Sequence, residues 1–382
     1  MGDRLVPPNR AELRAIARAR LSAQGLVPGF GRAAGLAPTV AWMGMMQAQD
    51  LRQAFWALGV RQPGSRASEV RAALNQGSVV RTWGARGTLM LLAPVDVHLV
   101  LSVTGERMYA AGAARRRELG ISEQDVDALA PVAVERCGER GATREQLFQA
   151  FRAAGQPTSG QRGIHLLFAL SVRRILIQGP LVDDGATHGQ LFVRYGRWLG
   201  PQAAGEPATS ADALRTLAVR YFRSHGPATE RDLAWWLGLP VRPVRAALAA
   251  IAESPGTLLA RVIGGETHWM DPRAGAFLDA AGPPAPGSRS VLALPGFDEL
   301  LLGYRDRSAT LPPRHADRVV PGGNGVFRRI LVAGGTAVGT WSVGGTRTKP
   351  LCVAEPFEDP LAPGHSRAFA ARAREHVAFL AG

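Results

Sequence analysis

The sequence predicts an α+β fold in which three tandem winged-helix units are followed by a small β-barrel domain and a C-terminal helix. Two observations predict this architecture. A pattern of three helices and a β-hairpin recurs as far as residue 283, and short apolar runs between glycines follow that position. The predicted boundaries are residues 1–120, 121–205 and 206–283 for the winged-helix units and residues 284–382 for the barrel-like domain with its helix.

The third unit has the clearest signals. Its first helix, ADALRTLAVRYFRSH, has apolar residues at helical spacing and ends at Gly226-Pro227. Thr229 is a candidate N-cap for a second helix, ERDLAWWLGL, and a third helix, RPVRAALAAI, follows. The alternating segment TLLARVIGGETHWMD turns at Gly264-Gly265, which is a hairpin signal. Three helices and a hairpin are the elements of a winged helix, a variant of helix-turn-helix.

The two earlier units repeat this order. In the second, the helices SEQDVDALAPVAVERCGER, GATREQLFQAFRAAG and GQRGIHLLFALSVRRIL precede the strand-and-wing segment LIQGPLVDDGATHGQLFVRY. In the first, a looser copy begins at RAELRAIARARL, passes through APTVAWMGMMQAQDLRQAFWALG and ASEVRAALNQG, and ends in the strands of SVVRTWGARGTLMLLA. Repetition of one supersecondary unit predicts a tandem array.

The sequence changes character after the linker PPAPGSRS. The segments VLALPGFDELLLGYRDRS and GVFRRILVAGGTAVGTWSV contain short apolar runs between glycines, which predicts a small antiparallel sheet or barrel. The last helix, SRAFAARAREHVAFL, carries alanine and phenylalanine on one face.

The charge of the chain predicts a polyanionic partner. The net charge is +14, from 45 basic and 31 acidic residues, and Lys349 is the single lysine. A GC-rich genome explains the use of arginine over lysine, but not the excess of basic over acidic residues. Nucleic acid is therefore the expected partner. Three dissimilar winged-helix units in one chain argue against a symmetric dimer, so we expect a monomer.

Other features of the whole chain narrow its class. There is no apolar run of about 18 residues, so no membrane span is expected, and the segment MGDRLVPPNR lacks the apolar region of a signal peptide. Cys137 and Cys352 are too few for a disulfide framework or a zinc site. We expect a cytoplasmic, nucleoid-associated protein that uses neither a metal nor a cofactor.

The stretch MMQAQD, residues 45–50, contains two candidate functional side chains. Asp50, with Gln53 three residues later, predicts the start of a helix with a capping-box-like pattern. Gln47 and Gln49 then lie at an extended junction, where residues i and i+2 face the same side and both amides could reach one cleft. From these residues alone, an alternative stays open: the glutamines are surface residues or hydrogen-bond free backbone groups of the junction.

Candidate DNA contacts occur in the first hairpin and in the third helices. In VVRTWGARGTLMLL, Arg81 and Arg86 flank Trp83 near a glycine turn, which suits phosphate contact and base stacking but also an ordinary wing with solvated arginines. Arginines at the ends of the third helices are typical of recognition helices, although solvated arginines have the same pattern. These arginines are Arg173, Arg174, Arg242 and Arg245.

A further cluster lies in FDELLLGYRDR and NGVFRR. Asp298, Glu299, Arg305 and Asp306 can form an acid–base site or, as we favour, an ion-pair network inside the barrel. Arg305 is also a candidate DNA contact, and Asp298 a supporting residue. No GxSxG, P-loop or H-E-x-x-H motif occurs, and the histidines lack metal-ligand spacing. The single lysine disfavours Schiff-base chemistry.

Four blocks of the sequence resemble a known family. They are MMQAQDLRQAFWALGVR, VVRTWGARGTLMLLAP, LPGFDELLLGYRDR and NGVFRRILVAGGTAVGTW, and they are similar to the winged-helix superfamily that contains the AlkZ-like bacterial DNA glycosylases. The resemblance covers residues 10–375. It implies three winged helices and a β-barrel around duplex DNA, with an active site lined by a Gln-x-Gln motif that matches Gln47 and Gln49. The middle position, usually bulky and apolar, is Ala48 here.

The resemblance also implies a reaction, which is base excision of alkylation damage. A monofunctional DNA glycosylase without lyase activity would release N7-alkylated purines, including bulky adducts or interstrand crosslinks, in repair or self-resistance. Gln47 and Gln49 would position the nucleophilic water, and Asp50 would support the junction. The alternative is a winged-helix DNA-binding protein without catalysis, either a regulator or a lesion shield. The retained glutamine pair favours the enzyme.

Overall fold

The structure, a computed structural model, describes residues 7–182, 189–200, 209–279, 291–346, 350–358 and 360–382. It has a mixed α/β fold and divides into two compact units. One unit consists of Met1–Val70 and Arg215–Gly382, and the other of Arg71–Leu214. The four predicted domain boundaries stay a prediction. The linker PPAPGSRS and Lys349 lie outside the described residues.

The α-helices alternate with short strands along the chain. In order they are α1 Arg10–Ala23, α2 Leu36–Met43, α3 Leu51–Arg61, α4 Ala67–Asn75, α5 Pro94–Ala111, α6 Ala113–Glu118, α7 Glu123–Cys137, α8 Arg144–Ala153, α9 Arg162–Val172, α10 Tyr195–Leu199, α11 Ser210–His225, α12 Glu230–Leu237, α13 Val241–Ala252, α14 Gly275–Asp279, α15 Glu299–Leu302, α16 Ala316–Val319 and α17 Pro363–Ala381. Short 3-10 turns at Pro272–Ala274, Pro313–His315 and Pro321–Gly323 connect some of them.

The strands form hairpins and one larger sheet. They are β1 Met46–Gln47, β2 Val80–Trp83, β3 Leu89–Leu92, β4 Leu176–Leu181, β5 Gln190–Arg194, β6 Leu259–Ile263, β7 Glu266–Met270, β8 Leu292–Leu294, β9 Ile330–Ala333, β10 Thr336–Gly345 and β11 Pro350–Pro356. The antiparallel hairpins are β2–β3, β4–β5 and β6–β7, and the larger antiparallel sheet has the order β11-β10-β9-β8.

In the unit Arg71–Leu214, three helices precede a hairpin in the predicted order. Ser122 and Thr143 cap α7 and α8, each within a capping box that satisfies free amides of the first turn. The apolar faces of α7, α8 and α9 form a core that contains Leu147, Phe151 and Leu166. The turn before α8 also joins the hairpin, because Ala142 forms a bridge to Phe192 of β5.

In the other unit, α11, α12, α13 and the hairpin β6–β7 repeat the arrangement. Thr229 caps α12, as predicted, with its hydroxyl accepting from the amide of Asp232. The hairpin turns at Gly264 and Gly265, whose φ angles of 57° and 74° are both positive, as a type I′ turn requires. Ala228, in the turn before α12, forms a bridge to Trp269 of β7. The equivalent bridge before α8 supports the internal repeat seen in the sequence.

The looser first copy differs in its element count. The described chain contains four helices, α1 to α4, before the hairpin β2–β3, where the repeat has three. The helices α1 to α3 belong to the unit Met1–Val70 with Arg215–Gly382, and the hairpin belongs to Arg71–Leu214. The first predicted unit, residues 1–120, is thus shared between the two compact units.

The predicted closed barrel is not found among the described residues. The four strands form an open sheet, with β8 and β11 at its edges. In β8, the carbonyl groups of Ala293 and Leu294 accept hydrogen bonds from the indoles of Trp56 and Trp341, at 2.7 and 2.8 Å. Side chains from α3 and β10 therefore satisfy this edge strand, and α17 packs beside it through His376. The short apolar runs predicted strands but carried no information on closure.

Candidate active site

The two glutamines lie at the junction between α2 and α3. Gly44, with a φ of 75°, ends α2, and β1 carries the chain in extended conformation through Gln47. Exposure alternates along this stretch: Met46 and Ala48 are buried, Gln47 is half-buried and Gln49 is exposed. The extended segment ends at Gln47, however, and the chain bends at Gln49 and Asp50 before α3 begins, so the predicted extended junction is shorter than the glutamine pair.

Asp50 caps α3, as the sequence predicted. Its carboxylate accepts hydrogen bonds from the amides of Arg52 and Gln53 at 2.9 and 3.2 Å. The reciprocal half of a capping box does not form here, because the Gln53 side chain accepts instead from the amide of Gly296 at 2.9 Å. The cap fixes where the helix begins, and so keeps the preceding glutamines in the junction.

Gln47 has a buried acceptor without a protein partner. Its side-chain Oε1 is inaccessible to solvent and forms no hydrogen bond with any described residue. An unsatisfied buried carbonyl costs about 1–3 kcal/mol, so proteins rarely keep one without a use. Because Gln47 as a whole is half-buried, a rotation of its side chain would bring this atom to a bound water or a substrate.

Glu299 holds the main chain of Gln47. Its Oε1 accepts from the Gln47 amide at 2.9 Å, and its Oε2 accepts from the Trp236 indole at 3.1 Å. The carboxylate is fully buried at the start of α15. The Nε2 atom of His225 lies 3.5 Å from Oε2. Burial lowers the pKa of His225 and Glu299 raises it, with burial the larger effect, so the imidazole is neutral near pH 7.

A second carboxylate anchors the other end of α3. Asp298 forms a bidentate ion pair with Arg61, the last residue of that helix, at 2.8 and 3.0 Å, and both side chains are buried. Gln24 accepts from the same guanidinium at 2.9 Å. Asp298 also caps α15 by accepting from the amide of Leu300. The segment 296–299 therefore holds the junction and α3 at three points, through Gly296, Asp298 and Glu299.

The predicted acidic cluster around residues 298–306 divides into separate partnerships. Asp298 binds Arg61 and Glu299 binds the Gln47 amide, whereas the oxygens of Asp306 accept from the amide and hydroxyl of Ser308. Arg305 is exposed, and its main-chain amide donates to Asp232. The favoured ion-pair network among these four residues is therefore not found, and Asp298 instead forms its ion pair with Arg61 of α3.

The residues of the first hairpin are more buried than a DNA contact requires. Arg81 is 8% exposed and donates to Gln190 Oε1 at 2.9 Å, which does not support the predicted phosphate contact. Trp83 packs on Phe168 and Phe192, with ring centroids 5.7 and 6.5 Å away, so it contributes to a core. Arg86 lies half-buried at the hairpin turn with a φ of 56°. Only the turn position suits a contact with a partner.

The other predicted DNA contacts lie at the surface with different partners. Arg173 is exposed and pairs with Asp127 at 2.6 Å, and Arg174 contacts the His98 ring at 3.2 Å. Arg242 is exposed on α13. On the same helix, exposed Arg245 pairs with Glu230 through a 3.0 Å hydrogen bond from Nε. Exposed ion pairs contribute little to stability, so these arginines can exchange a carboxylate for a phosphate, and their DNA contacts stay predictions.

The sequence predicts the two glutamines as site residues but gives no signal for the residues that hold them. Trp236 occupies an apolar position of α12, and Arg61 ends a helix, so neither has a sequence signal for a role at the junction. Glu299 was noted only as part of an acidic cluster. Among the described residues, no group of three or more His, Cys, Asp or Glu side chains is placed to hold a metal ion. Over the same residues, no helix is long and apolar enough to cross a membrane.

Comparisons with known proteins agree on one family. The family model of AlkZ-like DNA glycosylases matches residues 40–379. The chain is 24% identical over 305 residues to an interstrand DNA cross-link repair glycosylase from Streptomyces sahachiroi, covering 78% of this chain and 79% of that protein. The solved structure of the Streptomyces sahachiroi DNA glycosylase AlkZ has a similar fold, with a TM-score of 0.78, 23% identity and 96% of each chain covered.

Proposed function

This chain belongs to the AlkZ-like DNA glycosylase family, and we propose that it hydrolyses the N-glycosidic bond of N7-alkylated purines in duplex DNA. The observation that carries the proposal is the buried, unpartnered Oε1 of Gln47, on a junction that Glu299 holds in place. Gln47 and Gln49 are the proposed catalytic residues, and Asp50 and Asp298 support them.

The chemistry needs an acceptor more than an acid. Alkylation at N7 places a positive charge on the purine, so the C1′–N9 bond breaks with its electron pair leaving to N9, which neutralises the base. The sugar becomes oxocarbenium-like, and a water oxygen then bonds to C1′ and loses a proton to solvent. When an amide oxygen accepts a hydrogen bond from this water, it orients a lone pair of the water oxygen toward C1′. The glutamine amide is neutral and does not titrate, so its protonation state does not limit this task.

Gln49 completes the proposed water site. It follows Gln47 by two residues, at the bend before α3, and is exposed, so we place its amide against the water or the sugar from the open side of the junction. Ala48, between them in the sequence, is fully buried. The exposure of Gln49 suits a substrate with a bulky group, and an interstrand crosslink is one such substrate, as the name of the Streptomyces relative states for that protein.

We propose hydrolysis without lyase activity. A lyase step needs an amine that forms a Schiff base with C1′, and the chain has a single lysine, Lys349. The proposed water site contains amides only. The protein would act on DNA as a monomer in the cytoplasm, at the nucleoid, with the repeated helix–hairpin units serving as winged helices and Arg86, Arg173, Arg174, Arg242, Arg245 and Arg305 as DNA contacts.

Base release from defined duplexes tests the proposal. One duplex carries N7-methylguanine, and a second carries a bulky or crosslinking N7 adduct. Single-turnover rates are compared for the wild type, Gln47→Ala and Gln49→Ala, with Gln124→Ala as a matched control because Gln124 is an exposed glutamine on α7. We expect each junction variant to lose on the order of 100-fold in rate while its affinity for DNA is kept.

Three outcomes contradict parts of the proposal. If neither duplex loses its base faster than it does without enzyme, while DNA binds tightly, the chain is a DNA-binding protein without catalysis. If base release survives in both junction variants, the reaction is supported but the glutamines do not carry it. Strand cleavage without added base, together with a covalent enzyme–DNA adduct that borohydride traps, would contradict the absence of lyase activity.

A further inference from the structure

A cavity of about 920 Å³ lies beside α1, and neither the glutamine pair nor Glu299 lines it. Its walls are mostly apolar, with four prolines among the lining residues, and they also carry four arginines. Three of them come from α1 at positions i, i+4 and i+8, which places them on one face of the helix, and one comes from the 3-10 turn before α16. The four arginines are Arg10, Arg14, Arg18 and Arg314.

The cavity is electropositive and open to a ligand. Arg10 and Arg14 are exposed, and neither forms an ion pair with a described residue. Asp306 is the single carboxylate among the lining residues, and both of its oxygens accept hydrogen bonds from Ser308. Arg314 reaches Glu358 at 3.2 Å, in an exposed pair that a phosphate can replace. Arg10 and Arg14 are therefore placed to offer their guanidinium groups to an anion in the groove.

The opposite wall is formed by the β9–β10 turn, which is packed closely against α1. Gly334 lines the cavity, and Gly335 has a φ of 90°. A side chain at Gly335 would lie 2.7 Å from the Cβ of Ala17, so only glycine permits this approach. The amide of Ala337 donates to the Thr310 carbonyl at 2.7 Å and fixes the start of β10. The groove is thus a feature of the packed fold.

We propose that this groove binds the phosphodiester backbone of DNA, as a contact distinct from the glutamine junction. The inference rests on the proposed function only in taking DNA as the ligand. Arginines four residues apart on a helix are separated by about 6 Å along its axis, which is comparable to the separation of successive phosphates on a strand. Guanidinium groups bind phosphate oxygens through two parallel hydrogen bonds. The volume exceeds that of one phosphate ion and suits several consecutive phosphates.

The salt dependence of DNA binding tests this proposal. Dissociation constants for an undamaged duplex are measured between about 50 and 200 mM salt for the wild type and the double variant R10Q/R14Q. The matched control is R367Q/R374Q, which removes two exposed arginines from α17 in the same unit. Circular dichroism verifies that each variant is folded. Because each lost phosphate contact reduces the slope of log K against log salt by about 0.9, we expect a decrease of about 2 in R10Q/R14Q and none in the control.

Several outcomes decide the proposal. Equal slopes in R10Q/R14Q and the control would overturn it. Pyrophosphate serves as a probe for a free anion: if the wild type binds pyrophosphate and R10Q/R14Q does not, while the DNA slopes agree, the groove is a site for a small phosphorylated ligand and the DNA assignment is wrong. Base release is measured separately at saturating enzyme. A reduced slope in R10Q/R14Q without any base release by the wild type would contradict the proposed glycosylase activity and still support DNA binding in the groove.

Discussion

The main-chain amide of Gln47 donates a 2.9 Å hydrogen bond to Oε1 of Glu299, a residue 252 positions later in the chain. The second oxygen of that carboxylate accepts from Trp236, so the group is satisfied on both sides within a buried site. Since the contact is to the main chain, it sets the position of Gln47 without using the side chain. The side-chain Oε1 of Gln47 keeps no protein partner while its backbone is held in place, as a preorganised site requires.

We predict that Glu299 is a positioning residue for Gln47. Glu299→Ala leaves the Gln47 amide and the Trp236 indole without acceptors, and should slow single-turnover base release by about tenfold or more at unchanged DNA affinity. Glu299→Gln keeps an oxygen that can face the Gln47 amide, so it should retain more activity than the alanine variant. The pair of variants is compared by the rate at saturation and by the dissociation constant.

A merely structural role for Glu299 predicts a different result. Both variants would then lower the free energy of unfolding, and the activity per folded molecule would stay that of the wild type. Urea unfolding of both variants separates the two interpretations. Loss of DNA affinity with an unchanged rate at saturation would also contradict a positioning role.

Removing one partner of the buried Arg61–Asp298 pair should strongly destabilise the protein. Arg61→Met leaves Asp298 as an unpaired buried carboxylate, and we expect it to reduce the free energy of unfolding by about 3–5 kcal/mol. The double variant Arg61→Met/Asp298→Leu removes both charges and should be less destabilised than the sum of the single variants. Chemical denaturation of the double-mutant cycle measures this coupling. Additive effects would show that the ion pair does not couple α3 to α15.

Stability should fall as the pH drops below about 6.5, partly through His376. Burial, with a smaller repulsion from Arg329, lowers the pKa of His376 to about 4. As the pH falls from about 6.5 to about 4, His376 takes up a proton in the unfolded chain but stays neutral in the folded chain. Its contribution to stability is therefore complete above the pKa of the unfolded chain and is lost as the pH falls toward the pKa of the folded chain. The loss between about pH 7.5 and 4.5 is about 2–3 kcal/mol from this residue.

Replacing His376 tests the origin of that pH dependence. In His376→Leu, the difference in unfolding free energy between the two pH values should shrink by the same amount, whereas His365→Leu, on the same helix, serves as the control. The imidazole contacts Trp56 and Trp341, so leucine keeps apolar packing beside both rings. An unchanged pH dependence in His376→Leu would assign the acid sensitivity to other groups, such as buried His225 and His268.

Local signals in the sequence predicted local structure well. Thr229 caps its helix, Asp50 caps α3, and the Gly264-Gly265 pair turns a hairpin, because each of these features depends on residues within a few positions of one another. Helical periodicity also identified the apolar face of α11, where Tyr221 and Phe222 are fully buried. These elements are set by capping, turn and burial patterns that single segments carry.

Features that depend on distant partners could not be predicted. Arg81 has the sequence context of an exposed wing arginine, but its guanidinium is buried against Gln190. Gln53 has the spacing of a capping-box residue, yet its side chain accepts from the amide of Gly296 instead. The open sheet likewise depends on which side chains meet β8. For Arg81 and Gln53 the competing partner lies more than 100 positions away in the chain, where no periodicity connects the two.

The role of Gln47 leads to a prediction in which stability and activity change in opposite senses. Gln47→Leu has a similar volume and removes the buried Oε1 that lacks a protein partner, so the variant should be as stable as the wild type or more stable. The same change removes the proposed acceptor for the water, so base release should fall on the order of 100-fold. Thermal unfolding and single-turnover assays on one preparation measure both. A glutamine retained for structural reasons predicts the reverse, with loss of stability and normal base release, and that result would remove the main support for catalysis at this junction.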